Sequence, residues 1–213
     1  MPKTKLGNMK PNPDARSRLL SFLRAKSVFH GDFTLSSGAR STYYFDCKLT
    51  TLDPEAAWLV GQVMYSLIHR EALAGHVKID CVGGLTMGAD PVALAIGMYS
   101  FSAKDAPPLR VFIVRKTPKT HGQAKLIEGN FQRGDAVVIL DDVVTTGEST
   151  ISAINAIIKE GGKVAFVAVL VDRQEGGRQK IEALGYRVVA AFERDEIIQQ
   201  DAKSHQRTDC VPA

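Results

Sequence analysis

Five apolar, β-branched runs, each closed by glycine, proline or charge, most constrain what this chain can fold into. They are IDCVGG from residue 79, LRVFIVR from 109, AVVIL from 136, KVAFVAVLV from 163 and YRVVAAF from 186. A strand covered on both faces reads as a continuous apolar run and not as an alternation. Helical stretches separate them: one opened by Asp90-Pro91, one from Ser149 to Glu160, and a shorter one from Gly177 to Leu184. This order predicts an α/β fold with a parallel sheet of about five strands, flanked by helices and spanning 79–192. Ligands of such sheets sit at the carboxyl ends of the strands, which directs attention to the loops GGLTMGAD, DDVVTTGEST and DRQEGG.

The region ahead of the sheet reads differently. A proline- and lysine-rich start predicts a flexible arm over 1–12, and the polar segment 199–213 a flexible tail. Asp14 is expected to cap a helix carrying Leu19, Leu20 and Leu23. FTLSS and TYYFDCKL (42–49) read as two short strands around Ser37-Gly38, completing a small helix and strand hood over 14–50. Asp53-Pro54-Glu55 sets a carboxylate before a proline at the first helical position, and Val60, Val63, Met64 and Leu67 supply that helix with a buried stripe.

Composition narrows the partners. At 213 residues, with 45% hydrophobic and 23% charged content, the chain suits one soluble domain. Its net charge of +4 fits anionic small molecules and is weak as a sign of nucleic-acid binding. Cys47, Cys81 and Cys210 are odd in number and match neither a disulfide framework nor a zinc site, so a reducing cytoplasm is expected. No run approaches the ~20 apolar residues of a membrane span, and no apolar stretch of signal-peptide length follows the basic start.

The string from Val137 to Thr150, VVILDDVVTTGEST, carries the sharpest chemistry. A buried strand ends on Asp141 and Asp142, then turns through Val143, Val144, Thr145, Thr146 and Gly147 into a helix at Glu148 and Ser149. Free amides at a helix start, with nearby hydroxyls, bind an anion, and Gly147 allows close approach to a phosphate. The two carboxylates suit sugar hydroxyls. Phosphate on one side and hydroxyls on the other describe a ribose 5-phosphate. No Walker lysine follows GGLTMGAD, and no Gly-x-Gly-x-x-Gly follows a strand.

A second constellation, Arg115-Lys116-Thr117-Pro118-Lys119-Thr120-His121-Gly122, opens a stretch of twenty residues, 116–135, without a convincing helix. Loops of that length are commonly lids or binding loops, and basic groups on one would neutralise a departing diphosphate. The bland readings are a solvated charge run here, caps and a strand end at Asp141, Asp142 and Thr145, and an Arg173–Glu175 pair beyond.

The 137–150 string resembles the phosphoribosyl diphosphate motif of type I phosphoribosyltransferases. The basic loop is similar to the Arg-Lys-x-x-Lys-x-His-Gly signature of the orotate phosphoribosyltransferase family. FTLSSGARSTYYFD and Asp172-Arg173-Gln174-Glu175 resemble two further segments of that family, in the same order. The resemblance implies transfer of phosphoribosyl from phosphoribosyl diphosphate to orotate, giving orotidine 5′-monophosphate and diphosphate. It implies magnesium held through the substrate's diphosphate and ribose hydroxyls, with no metal site of the protein's own. It further implies a homodimer with sites shared between chains. Carried over, Asp141 and Asp142 hold the ribose hydroxyls, and the turn from Thr145 to Ser149 binds the 5-phosphate. Arg173 faces the orotate carboxylate, Thr145 lies near orotate, and Tyr44 and Phe45 pack over the base. Lys116 acts within its own subunit, while Arg115, Lys119 and His121 reach a neighbour's diphosphate; Lys119 and His121 join the two aspartates as catalytic groups. Ser36 and Met87 stand where many members have lysine, and Thr42 where proline is frequent. Two alternatives remain at this stage: transfer to a purine base, or a non-catalytic regulator sensing phosphoribosyl diphosphate.

Overall fold

The structure is a computed structural model that describes residues 14–34, 40–117 and 126–199. The expected arm, most of the expected tail, and Ser36, Lys119 and His121 lie outside the described residues. A six-stranded sheet runs in the order β5-β4-β3-β6-β7-β8, formed by β3 (Cys81–Leu85), β4 (Arg110–Val114), β5 (Ile127–Gly129), β6 (Ala136–Val144), β7 (Lys163–Asp172) and β8 (Val188–Glu193). The five predicted runs form β3, β4, β6, β7 and β8, all mutually parallel. The sixth strand, β5, pairs antiparallel with β4 and falls within the stretch expected to be all loop. Three residues on a sheet edge leave too short a pattern to read.

Both faces of the sheet are covered, as continuous apolar strands require. Val138 and Leu140 join one buried cluster with Val60, Met64, Val92 and Ile96, whereas Val137 and Ile139 join the other with Ile154, Ile157 and Ile181. The first cluster is supplied by α1 (Ala15–Phe22), α3 (Pro54–Ala74) and α4 (Ala89–Ala103), the second by α5 (Glu148–Lys159) and α6 (Gly177–Ala183). Asp53 caps α3 as expected, its carboxylate accepting from the amides of Glu55 and Ala56 at 3.0 Å each.

Asp14 does not cap α1. Its backbone is already helical, and its carboxylate accepts the Ser17 hydroxyl at 2.8 Å instead. Nor does Asp90 begin α4: Gly88 precedes that helix, and Asp90 lies in its first turn, accepting the Thr86 hydroxyl at 2.7 Å. Two hood strands pair antiparallel as β1 (Val28–Thr34) and β2 (Arg40–Phe45); the first starts five residues ahead of the expected FTLSS run and shares only Phe33 and Thr34 with it, and residues 35–37 lie outside the described residues. The second is shorter than read, because residues 48–51 turn into a four-residue helix, α2 (Lys48–Thr51).

Candidate active site

Strand β3 has β4 on one side and β6 on the other. The chain therefore leaves β3 in one direction and returns on its other flank, and such a reversal opens a crevice at the strands' carboxyl ends. Two glycines in β3 make this crossing tight. A Cβ on Gly83 would lie 2.0 Å from the Phe112 carbonyl, and one on Gly84 2.0 Å from that of Leu140. Only a strand without side chains there lets its neighbours close in.

Asp141 and Asp142 stand at this crevice, both buried. Asp141 accepts the Thr150 hydroxyl at 2.9 Å and the Asp142 amide at 3.1 Å, and Asp142 accepts the Val143 amide at 2.9 Å. Burial raises both carboxyls, Asp141 to about 8, where the neighbouring Asp142 charge adds to the rise. The Lys48 ammonium opposes that rise at Asp142; Lys48 itself bonds Asp46 at 2.7 Å. The loop after β3 leans directly on this pair: a Cβ on Gly88 would sit 2.3 Å from Asp142 Oδ1 and 3.3 Å from Asp141 Oδ1.

Beyond the carboxylates the chain turns through Thr145 and Thr146 into α5. Gly147 holds φ at +81° and offers no side-chain cap. The first amides of α5 are thus left for an external acceptor, at the end of the helix that favours negative charge. A second backbone closes the cradle from the far side. A Cβ on Gly177, at the start of α6, would lie 2.4 Å from the Thr145 carbonyl and 2.8 Å from the Gly147 amide nitrogen.

Arg173 follows β7, its amide bonded to the Val144 carbonyl at 3.0 Å, so the two post-strand loops are tied together. Arg173 is 5% exposed; its guanidinium pairs with Glu175 at 2.7 Å and lies 5.3 Å from the Phe45 ring centre. Its Nε is buried with no hydrogen-bond partner among the described residues. A buried guanidinium nitrogen left unpaired is costly and marks a place for an anion. Asp172 is occupied otherwise, accepting Arg178 Nε at 2.6 Å and the Gln174 amide at 2.8 Å, which stiffens the loop behind Arg173.

The hood divides the two aromatic residues expected over a base. Phe45 is buried beside Arg173, whereas Tyr44, on the other side of β2, packs on Phe29 and Phe33 with its ring half open to solvent. Adjacent residues of a strand face opposite ways, so one pair of neighbours cannot both face one ligand from regular backbone. Arg115 and Lys116, after β4, line a cleft of about 390 Å³ with Thr86, Asp90, Ile113, Thr117 and Glu128. Arg115 donates there to the Thr117 carbonyl at 3.2 Å.

Sequence reasoning assigned no role to Lys48, Gly88 or Gly177. The glycines were visible as glycines, but what they touch comes from other strands and helices. Among the described residues, no three His, Cys, Asp or Glu side chains form a metal-holding group, and no helix is long and apolar enough to cross a membrane.

A carboxylate pair beside an uncapped helix start, at the reversal point of a parallel sheet, defines a phosphoribosyltransferase fold, and residues 109–196 match the family described as "Phosphoribosyl transferase domain". The chain is 44% identical over 183 residues to the orotate phosphoribosyltransferase of Tropheryma whipplei (strain Twist), covering 86% of this chain and 82% of that one. It is 41% identical over 186 residues to that of Aquifex aeolicus (strain VF5), covering 86% and 97%. The chain belongs to the orotate phosphoribosyltransferase family, and orotate phosphoribosyl transfer is its activity. Among solved structures, the Mycobacterium tuberculosis H37Rv orotate phosphoribosyltransferase in complex with phosphoribosyl diphosphate superposes with a TM-score of 0.68 at 36% identity, covering 86% of this chain and 98% of that one.

Proposed function

We propose that the crevice divides the reaction between two adjoining corners. The corner after β6 takes phosphoribosyl diphosphate: α5 amides and the Thr145 to Ser149 turn hold the 5-phosphate, and Asp141 and Asp142 accept the ribose hydroxyls. The corner after β7 takes orotate: Arg173 grips its carboxylate, Phe45 packs on the ring, and Thr145 borders both. The observation that carries this reading is Arg173, a buried guanidinium with an unpaired Nε on a loop whose backbone is bonded to Val144, at the end of the strand that carries the carboxylate pair. A neutral purine offers it no anion.

Cleaving the bond from ribose to diphosphate leaves positive charge on the sugar and adds negative charge to the leaving group. The buried carboxylates stabilise the first, and cations stabilise the second. Lys116 serves its own subunit, and Arg115, Lys119 and His121 serve a second copy in a homodimer. By orienting orotate, Arg173 brings the ring nitrogen to the anomeric carbon and supplies catalysis by positioning. Magnesium, when bound, screens the diphosphate. The donor set fits it, since Mg²⁺ favours one or two carboxylates with substrate oxygens and water; Asp141 and Asp142 would hold it through the ribose hydroxyls. The free, buried thiols of Cys47 and Cys81 suit a reducing compartment, and we assign the enzyme to the cytoplasm.

Incubation with phosphoribosyl diphosphate, magnesium and either orotate or adenine tests the assignment of substrate. Loss of orotate absorbance with no adenine turnover is expected; the reverse overturns the role of Arg173. Lys119→Ala should lower kcat by ~10²–10³, the usual cost of one transition-state donor. Mixing Lys119→Ala chains with Asp142→Asn chains should restore part of the activity. No recovery in verified mixed dimers would confine each site to one chain.

A further inference from the structure

We propose that Arg178 is a positioning residue for orotate: from the first turn of α6 it anchors Asp172, and Asp172 shapes the backbone turn that carries Arg173 into the crevice. This rests on the orotate role of Arg173 proposed above and adds the residue that sets its aim. An arginine side chain has several rotatable bonds, so its fork meets a planar carboxylate reliably only where the backbone beneath it is fixed. The backbone at Arg173 is fixed on both sides. Its own amide donates to the Val144 carbonyl at 3.0 Å, and the next amide, that of Gln174, donates to Asp172 Oδ1 at 2.8 Å.

Gln174 holds φ at +57°, in the left-handed region that residues with a side chain disfavour. Such a conformation persists where its surroundings impose it, and here the Asp172 carboxylate does so. That carboxylate is buried. One oxygen accepts the Gln174 amide, and the other accepts Arg178 Nε at 2.6 Å. Arg178 is held in turn: Nη1 donates to the Val188 carbonyl at 2.9 Å, at the start of β8, and the guanidinium lies 3.8 Å from Glu193 and 3.9 Å from Glu182. Removing the cation would leave Asp172 buried with its charge uncompensated, a costly state. The carboxylate would turn away to find water, and the Gln174 amide would lose its acceptor. Gly177, the neighbour of Arg178, closes the phosphate corner, but α6 is also fixed there by Ile181, fully buried in the core. Loss of the arginine therefore acts on the orotate corner first.

Steady-state kinetics of Arg178→Met, alone and in an Arg173→Ala background, test the assignment. The single variant should raise the orotate KM roughly three- to tenfold and leave that of phosphoribosyl diphosphate within about twofold, as expected of side chains that act through one network. In the Arg173→Ala background the same substitution should move the orotate KM by less than about twofold, because the group it aims is gone. Arg178→Lys returns a cation to Asp172 and should bring the orotate KM back to within about twofold of the wild type. Asp172→Asn cuts the same link from its other end without a change of size, and it should repeat the pattern if Arg178→Met fails to fold. A loss that multiplies equally in both backgrounds, or falls equally on both substrates, makes Arg178 a brace for the fold and overturns the proposal. An Arg173→Ala enzyme with the wild-type orotate KM removes the orotate role of Arg173 itself, and this inference with it.

Discussion

The corner after β6 and the corner after β7 adjoin, but they are built by opposite means. The first is mostly backbone: uncapped amides of α5, glycines 88, 147 and 177 closing on it, and two aspartates from one strand end. The second is mostly side chain: Arg173 and Glu175 from one loop, and Phe45 from a strand more than a hundred residues earlier. A contiguous, backbone-built site tolerates little change at any position, because added atoms meet rigid neighbours. A convergent site can lose one member and keep its shape. The comparison predicts that damage to the first corner impairs phosphoribosyl diphosphate use and damage to the second impairs orotate use.

The largest effect should come from Asp141→Asn, with activity down ~10²–10³ on loss of charge at the ribose. Its stability should move the other way. A carboxyl whose native pKa is raised stabilises the fold at low pH and loses that contribution as pH rises through the native value, here about 8 for Asp141. The melting temperature of the ligand-free wild type should therefore fall between about pH 4 and 8 and level off above that. Asp141→Asn should flatten that fall and melt higher at pH 8, by about 2–4 °C for each kcal/mol of repulsion and burial relieved. Equal or steeper melting curves for the variant would show that the pair is not strained when empty.

Next in size, Arg173→Ala should raise the orotate KM about 10–100-fold, matching a charge-assisted bond of about 1.5–3 kcal/mol. The KM for phosphoribosyl diphosphate should change less than about threefold on the same scale. Equal losses on both substrates would dissolve the division between corners. Gly177→Ala tests the reverse: it should weaken phosphoribosyl diphosphate roughly tenfold and cost about 1–3 kcal/mol in stability from overpacking, with orotate spared. The smallest effect separates two neighbours. Phe45→Leu should raise the orotate KM several-fold by steady-state assay, whereas Tyr44→Phe should leave it within about twofold, since losses from an exposed side chain are small.

The first corner was legible where its parts are consecutive. Fourteen residues from Val137 to Thr150 carry strand, carboxylates, turn and helix start in order, and each step has a local signature. Arg173 was legible only through its neighbours Asp172, Gln174 and Glu175. Nothing local distinguishes Tyr44 from Phe45, and their separation needs the register of β2 against β1. Gly88 and Gly177 matter through close approach of distant backbone, and Lys48 through a field on Asp142; such relations exist only after folding. Asp14 misled for the converse reason, because a good cap residue was captured by Ser17 in a helix that starts without it.

The strained carboxylate pair has a consequence for the life of the enzyme in a cell. Anything that binds the native crevice and brings a cation or hydroxyls to those aspartates relieves the strain and shifts the folding equilibrium by mass action. Chains short of substrate are then the ones that open more often and meet proteases sooner. Enzyme abundance would follow the supply of activated sugar phosphate, without any separate sensor.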